Sequence, residues 1–266
     1  MRKLPNLDAK FPSLPRVESR FISRIPTICG LVGSTGSGKS YLAVSIIEML
    51  RREGSITRVF VISPTAVSNQ ILNAICTDPE RDKKYVLDSK VFDRLREIED
   101  LCDADAAIYR DQLEYLVTKK KFCDGDEMTD AETMLMERYG YRDVKAVRPS
   151  PALFLDDCQS SPIFSNSSKN SFTNLVLKSR HIGQGTGLSI FLAAQTSRGI
   201  PRGLRLNFTH LFLWRTQSLR EKKLLYEEVG ALMNEEEFDR KLDLYTALPY
   251  SYMFIDLWLK RISDSF

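Results

Sequence analysis

Pro26-Thr27-Ile28-Cys29-Gly30-Leu31-Val32-Gly33-Ser34-Thr35-Gly36-Ser37-Gly38-Lys39-Ser40-Tyr41-Leu42 is the most constrained run of this 266-residue chain. Residues 33–40 fill every fixed position of G-x-x-x-x-G-K-S, a loop that binds phosphate. The apolar run before it has the length of a buried strand. The run from Tyr41 to Leu50 is apolar at helical spacing. A strand, a glycine-rich turn and a helix N-terminus are what anion binding needs. Glycines let successive N–H groups face one anion, and the helix end adds partial positive charge. Gly33, Ser34, Thr35, Gly36, Ser37, Gly38, Lys39, Ser40 and Tyr41 form the expected nucleotide-binding set. Lys39 would meet the β/γ-phosphates, and Ser40 would hold Mg²⁺.

Outward from this run the chain alternates strands and helices. Gly54 ends the first helix, and Arg58-Val59-Phe60-Val61-Ile62-Ser63-Pro64 reads as a second buried strand. A strand, a helix and a strand in this order predict a right-handed crossover and a parallel sheet. Ala152–Asp157, Leu188–Gln195 and Thr209–Trp214 read as further core strands, and Tyr252–Leu257 as a last one near the edge. Residues 171–181 read as a helix, and 218–241 as one or two amphipathic helices. The expected class is α/β, a mostly parallel central sheet flanked by helices. Residues 26–266 form one domain, preceded by a proline-bearing arm over 1–25 that packs on the domain or on a neighbour.

Residues 66–146 differ in character. Within them, residues 81–146 carry 13 basic and 17 acidic side chains, a net of −4, with apolar residues at helical spacing (Val91, Leu95, Ile98, Leu101). Two to four helices over one edge of the sheet are expected there. Asp124, Asp126 and Asp130 do not form a calcium loop, since the required Gly and terminal Glu are missing at their offsets. In contrast, residues 158–220 hold eight basic side chains and no acidic one, although the whole chain is only +3. Such a stretch is either a solvated positive face or a surface for phosphates. The five cysteines lack C-x-x-C spacing, and the only histidines are His181 and His210, so a zinc site or disulfide framework is not expected. Cys158 and His181 are the one formal nucleophile pair, and packing or hydrogen bonding is the better reading of both. No apolar run is long enough to span a membrane, and the N-terminus lacks an apolar signal core.

Leu153-Phe154-Leu155-Asp156-Asp157 is the second chemical signal: apolar residues followed by two acids at a strand end. One carboxylate, Asp156, can serve the metal through Ser40 and water. The next, Asp157, points elsewhere and can polarise the attacking water. Gln195 ends a strand expected beside these, where an amide can sense the γ-phosphate. Arg198, Arg202 and Arg205 follow it in a loop marked by Gly199, Pro201 and Gly203, and Arg180 precedes it. Arginine suits the stabilisation of charge on a transferring phosphate.

On these blocks, together with Ser179-Arg180-His181-Ile182-Gly183 and the tail Tyr252–Leu257, the chain resembles the FtsK–HerA superfamily of ring-forming P-loop motors. Within it, the chain looks most like the genome-packaging ATPases of poxviruses, other nucleocytoplasmic large DNA viruses and virophages. It departs from the commonest pattern in having Asp rather than Glu at 157. Its Gln184-Gly185-Thr186-Gly187 also lengthens a usually compact segment. The resemblance implies an additional-strand P-loop fold, ATP and Mg²⁺ as cofactors, and a homo-oligomeric ring (pentamer or hexamer). It further implies double-stranded DNA as the substrate moved and a capsid vertex or portal protein as docking partner. The implied location is the host-cell cytoplasm or the virion, without export. It makes Lys39 and Ser40 phosphate and Mg²⁺ ligands, Asp156 the metal support, Asp157 the catalytic base and Gln195 the sensor. Arg180 is the first candidate for an arginine supplied to a neighbour, with Arg198 and Arg202 behind it. The alternatives are a protein-moving or assembly ATPase of the same superfamily, a small-molecule kinase, and a DNA-binding scaffold that keeps ATP without turnover.

Overall fold

The computed structural model describes residues 18–159, 161–165 and 170–264. Eight strands form one sheet in the order β3-β2-β4-β5-β1-β6-β7-β8. They are β1 (Ile28–Val32), β2 (Arg58–Ser63), β3 (Lys83–Val86), β4 (Pro151–Asp156), β5 (Ser189–Ala194), β6 (His210–Leu213), β7 (Met253–Asp256) and β8 (Arg261–Ser263). The first six positions in the sheet are parallel, and β7 and β8 close it antiparallel. β5 therefore lies between the phosphate-loop strand β1 and the Asp-Asp strand β4. That is the additional strand the resemblance implied.

Every residue of β2, β4 and β5 is buried. Such strands must be covered on both faces, and their side chains alternate between two cores. Val59, Val61, Phe154 and Phe191 enter a core with helix α1 (Lys39–Glu53) through Ala43, Ile46, Ile47 and Leu50. Phe60, Ile62, Leu153, Leu155 and Ile190 enter the opposite core. Five helices cover it: α2 (Val91–Asp124), α4 (Ser171–Leu177), α5 (Arg202–Arg205), α6 (Leu219–Val229) and α7 (Glu235–Tyr245).

The charged insertion has the expected helices but differs in where they pack and in adding a strand. It holds two helices, α2 and α3 (Asp130–Tyr139), and a short 3-10 turn at 70–74. It also supplies β3, the edge strand of the sheet. Lys83-Lys84-Tyr85-Val86 reads as a charged run because an edge strand keeps lysines facing water. The first half of α2 covers a sheet face rather than an edge, through Val91, Leu95, Ile98 and Cys102. Its second half pairs with α3 around a small core of Tyr115, Leu135 and Met136, where Tyr115 stacks on Tyr139 at 4.3 Å. Two of the three lysines at 119–121 are neutralised there, Lys119 by Asp143 and Lys121 by Glu132. β8 was likewise not expected, being a three-residue edge strand with partly exposed side chains.

Of the expected arm, residues 1–17 lie outside the described residues. Residues 18–25 pack on the domain: Ser19 donates to Glu53 at 2.7 Å and Ile22 is buried. Ser23 meets Nε2 of the buried His210 at 3.0 Å, and Thr27 meets Nδ1 at 2.8 Å. The expected helix over 171–181 stops at Leu177. Gly183, Gln184, Gly185 and Gly187 all adopt left-handed backbone and carry the chain back into β5. At Gly187 a Cβ would come within 2.6 Å of Pro26, so the return passes too close to the start of β1 for any side chain.

Beside His210, Asp256 accepts from the Trp258 and Leu259 backbone N–H groups at 2.9 and 2.8 Å, which forms the turn toward β8. Burial alone would push its carboxyl up. Hydrogen bonds from His210, Leu259 and Ser23 outweigh that and hold it down to about 2. A carboxyl held below its unfolded value, about 3.9, stabilises the fold above that pH and loses the contribution as pH falls toward 2. Stepwise-pH urea unfolding should therefore show a steeper loss of stability from pH 4 to 2 in the native chain than in Asp256→Asn. Parallel curves would contradict this.

Candidate functional site

The parallel register brings three strand ends into one row. Val32 pairs with Ala194, Ala193 pairs with Asp156, and the Gly33 N–H continues the ladder to the Ala194 carbonyl at 3.2 Å. The phosphate loop, the two carboxylates and Gln195 thus leave the sheet at the same edge, where open α/β sheets bind ligands.

The loop itself is ready for an anion. Gly36 and Gly38 have φ of 76 and 95°, conformations that suit glycine. Gly38 is the N-cap of α1 and supplies no side-chain acceptor, so the first N–H groups of the helix are left for a ligand. Ser37 Oγ is buried without a partner. Gly33 is required for space, since a Cβ there would come within 2.6 Å of the Trp214 side chain. Lys39 Nζ donates to the Ser34 carbonyl at 2.8 Å. Burial pulls the Lys39 ammonium down, while Asp156 and Asp157 pull it up.

Ser40 Oγ donates to Asp156 Oδ1 at 2.6 Å, so the two expected metal ligands are already in contact. Asp156 is buried and Asp157 is exposed, which is the divergence expected of adjacent residues at a strand end. Burial raises the Asp156 carboxyl, the Ser40 hydrogen bond opposes this, and Asp157 adds to it. A cation at this point would relieve that desolvated charge. One hydroxyl and one carboxylate are hard oxygen donors of the kind Mg²⁺ takes alongside phosphate oxygens and water. Asp157 is held at φ 53°, a left-handed backbone uncommon for residues other than glycine. Its Oδ1 accepts from Gln195 Nε2 at 2.9 Å. The proposed base and the proposed sensor are in direct contact.

A residue that the sequence did not single out clamps this row. Gln159 accepts from the Gln195 N–H at 2.8 Å and donates to the Thr196 carbonyl at 2.5 Å, tying the end of β4 to the end of β5. A lone glutamine two residues past the paired acids carries no pattern that would have marked it.

The arginines separate. Arg198 lines a cavity of about 1310 Å³ with Gly33, Ser34 and Gln195, and Arg215 and Arg220 line it too. The latter two were counted in the acid-free stretch but not marked as site residues. Arg202 is exposed at the start of α5. Arg180 lies elsewhere, in a recess with Ile28 and Thr209 at the opposite ends of β1 and β6. A five-residue strand, roughly 17 Å, separates it from its own phosphate loop. Nor is the acid-free stretch one free positive face. Lys178 pairs with Glu99 at 2.7 Å, and the buried Arg205 pairs with Glu228 at 2.7 Å, both acids lying outside the stretch. Lys169 lies outside the described residues. Cys158 is buried and donates to the Ile62 and Asp156 carbonyls, with its thiol pushed up by burial, whereas His181 is exposed in a turn. Both therefore serve packing and hydrogen bonding.

Two outcomes follow for variants. Arg205→Ala strands Glu228 and is expected to cost about 3–5 kcal/mol in urea unfolding, whereas Arg198→Ala and Arg202→Ala cost under about 0.5 kcal/mol. Asp156→Asn removes a desolvated charge and keeps a partner for Ser40. Calorimetry should find its Tm no lower than that of the native chain.

No protein-family model matches the chain, and no curated protein matches it. Solved structures do. The genome packaging NTPase B204 from Sulfolobus turreted icosahedral virus 2, in complex with ATP-gammaS, matches with a TM-score of 0.55 and 15% identity, covering 91% of this chain and 98% of that one. B204, the DNA-packaging ATPase from Sulfolobus turreted icosahedral virus, matches with a TM-score of 0.55 and 14% identity, covering 91% and 97%. EssC (ATPases 2 and 3) from Geobacillus thermodenitrificans matches with a TM-score of 0.48 and 15% identity over 87% of this chain and 38% of that one. Among the described residues no helix is long and apolar enough to cross a membrane. The chain has the α/β fold of the P-loop NTPases, with β5 placed between β1 and β4.

Proposed function

We propose that this protein is an ATP-driven translocase that moves double-stranded DNA into a preformed viral capsid. The observation that carries this reading is the connected row Ser40–Asp156–Asp157–Gln195, set against a complete phosphate loop on a fold like that of genome packaging NTPases. Phosphoryl transfer to water needs positioning and charge stabilisation more than covalent chemistry. Gly33–Tyr41 hold the triphosphate, with Lys39 on its terminal oxygens. Mg²⁺, held by Ser40 and by Asp156 through water, would neutralise charge on those oxygens.

Asp157 orients and deprotonates the attacking water. Its carboxylate is shorter than the more usual Glu, and the left-handed backbone at this residue sets where it points. The Gln195 amide has one side-chain N–H group spent on Asp157. Turning that amide to a γ-phosphate would release the base, which couples occupancy to activation. The Gln195 backbone is pinned meanwhile by Gln159, so only the side chain need move.

In this reading the chain works as a homo-oligomeric ring, a pentamer or hexamer. Arg180 is exposed and distant from its own loop, which suits a residue offered to a neighbouring subunit's nucleotide. Arg198 and Arg202 are the other candidates. The DNA is held by its phosphates without base readout. The remaining assignments are a capsid vertex or portal protein as docking partner, and the host-cell cytoplasm or the virion as the place of action.

The test is hydrolysis of ATP by the purified chain with and without double-stranded DNA. DNA is expected to stimulate turnover. Lys39→Ala should abolish it, and Asp157→Asn should lower the rate by about 10²–10⁴-fold. DNA affinity should be tolerant of sequence and fall by about 10³–10⁵ between 50 and 200 mM salt if six to ten phosphates are contacted. Turnover indifferent to DNA would instead favour a protein-moving ATPase.

A further inference from the structure

Trp214, which lines the large cavity, also lines a second one of about 560 Å³. Gly38, Tyr41, Leu42, Trp214, Tyr250 and Tyr252 line it, and its walls are almost wholly apolar. Tyr41 and Tyr250 are 69% and 72% exposed, an unusual amount of aromatic ring left to water. The Tyr250 ring lies over the phosphate loop, with a Cβ at Gly38 falling 3.5 Å from it. Tyr250 is also held at φ 65°, a backbone conformation costly for a bulky residue. Strain kept at an exposed aromatic residue beside a ligand loop is a mark of function.

Direction decides what fits there. In the nucleotide reading, on which this inference rests, the terminal phosphate lies toward Asp157 and Gln195, at the end of the row away from α1. The remaining phosphates follow the first turn of α1, past Ser40 and Tyr41. The rest of the nucleotide leaves the loop at Tyr41, at the mouth of this cavity. We infer that the cavity takes the nucleobase, stacked on Tyr250 and Tyr41, and that it does not read the base edge.

The second half of the inference comes from what the lining lacks. Among the described residues the lining includes no carboxylate, side-chain amide or cation, and the charge of Asp264 reaches Tyr252 from outside it. The Trp214 indole N–H is already given to the Tyr250 carbonyl at 3.3 Å. Among the described lining residues, the side-chain polar atoms that remain are the tyrosine hydroxyls. Stacking is tolerant because every base has a π-face. Discrimination by 10⁴–10⁵ needs a site built to hydrogen-bond the preferred group. The protein is therefore a purine-tolerant nucleoside triphosphatase, with GTP accepted nearly as well as ATP.

Titration calorimetry on the full chain tests this with ATP, GTP and base-free inorganic tripolyphosphate, in the native protein, Tyr250→Ala and Tyr250→Phe. ATP and GTP should bind within about tenfold of each other, and both about tenfold or more tighter than tripolyphosphate. Tyr250→Ala should weaken ATP and GTP about tenfold and leave tripolyphosphate within about twofold. Tyr250→Phe, which keeps the ring, should restore nucleotide affinity. A preference for ATP over GTP beyond about 100-fold overturns the tolerance. Tripolyphosphate binding as tightly as ATP, or nucleotide affinity unmoved in Tyr250→Ala, overturns the base pocket while leaving the phosphate loop intact. Failure of all three ligands to bind the native chain overturns the nucleotide reading itself.

Discussion

The parallel pairing of β5 with both β1 and β4 is the constraint on which the site depends. A one-residue slip on either side would turn every side chain of the slipped strand to the other face. Such a slip is resisted because both faces of these strands are buried. Phe154 and Phe191 fill one core while Leu153, Leu155 and Ile190 fill the other. The same alternation that stabilises the sheet therefore sets where Asp156 and Gln195 emerge. Stability and site geometry share one cause, and the candidate site lies at the strand ends, where burial gives out.

That edge holds its polar side chains in mutual contact. Ser40 is bonded to Asp156, Asp157 to Gln195, and Lys39 to the loop carbonyl of Ser34. Each polar group has a partner that a ligand can replace, so desolvation is limited until the ligand arrives. The exception is Ser37 Oγ, buried and unpartnered inside the loop. The left-handed backbone at Asp157 and Tyr250 places local strain on two sides of the loop, and the helices packed against the sheet supply the rigidity that holds it.

The basic stretch shows how charge along a chain differs from charge on a surface. Residues 158–220 contain no acid, yet Glu99 and Glu228 reach in from α2 and α6 to neutralise Lys178 and Arg205. Glu221, just past the stretch, accepts the Ser197 N–H. What survives near the loop is Arg198, Arg215 and Arg220, contributed by two separate strand ends. Arg180 stays with the stretch in sequence and leaves it in space.

Local order determined a good deal. The phosphate loop, its strand and helix, the Asp-Asp strand and the Gln195 strand were legible because each is a run whose apolar periodicity and end residues suffice to define it. The parallel α/β class followed from their alternation. The edge strands β3 and β8 were not legible, since edges are short and polar and their pairing partners are remote in sequence. Folding alone placed Gln159 across two strand ends, put Arg180 at the wrong end of β1 for its own nucleotide, and gathered Tyr41, Trp214, Tyr250 and Tyr252 around one cavity. These are contacts between residues 36 to over 200 positions apart in the chain, and no local propensity or spacing encodes them. They are fixed only when both faces of the sheet are packed.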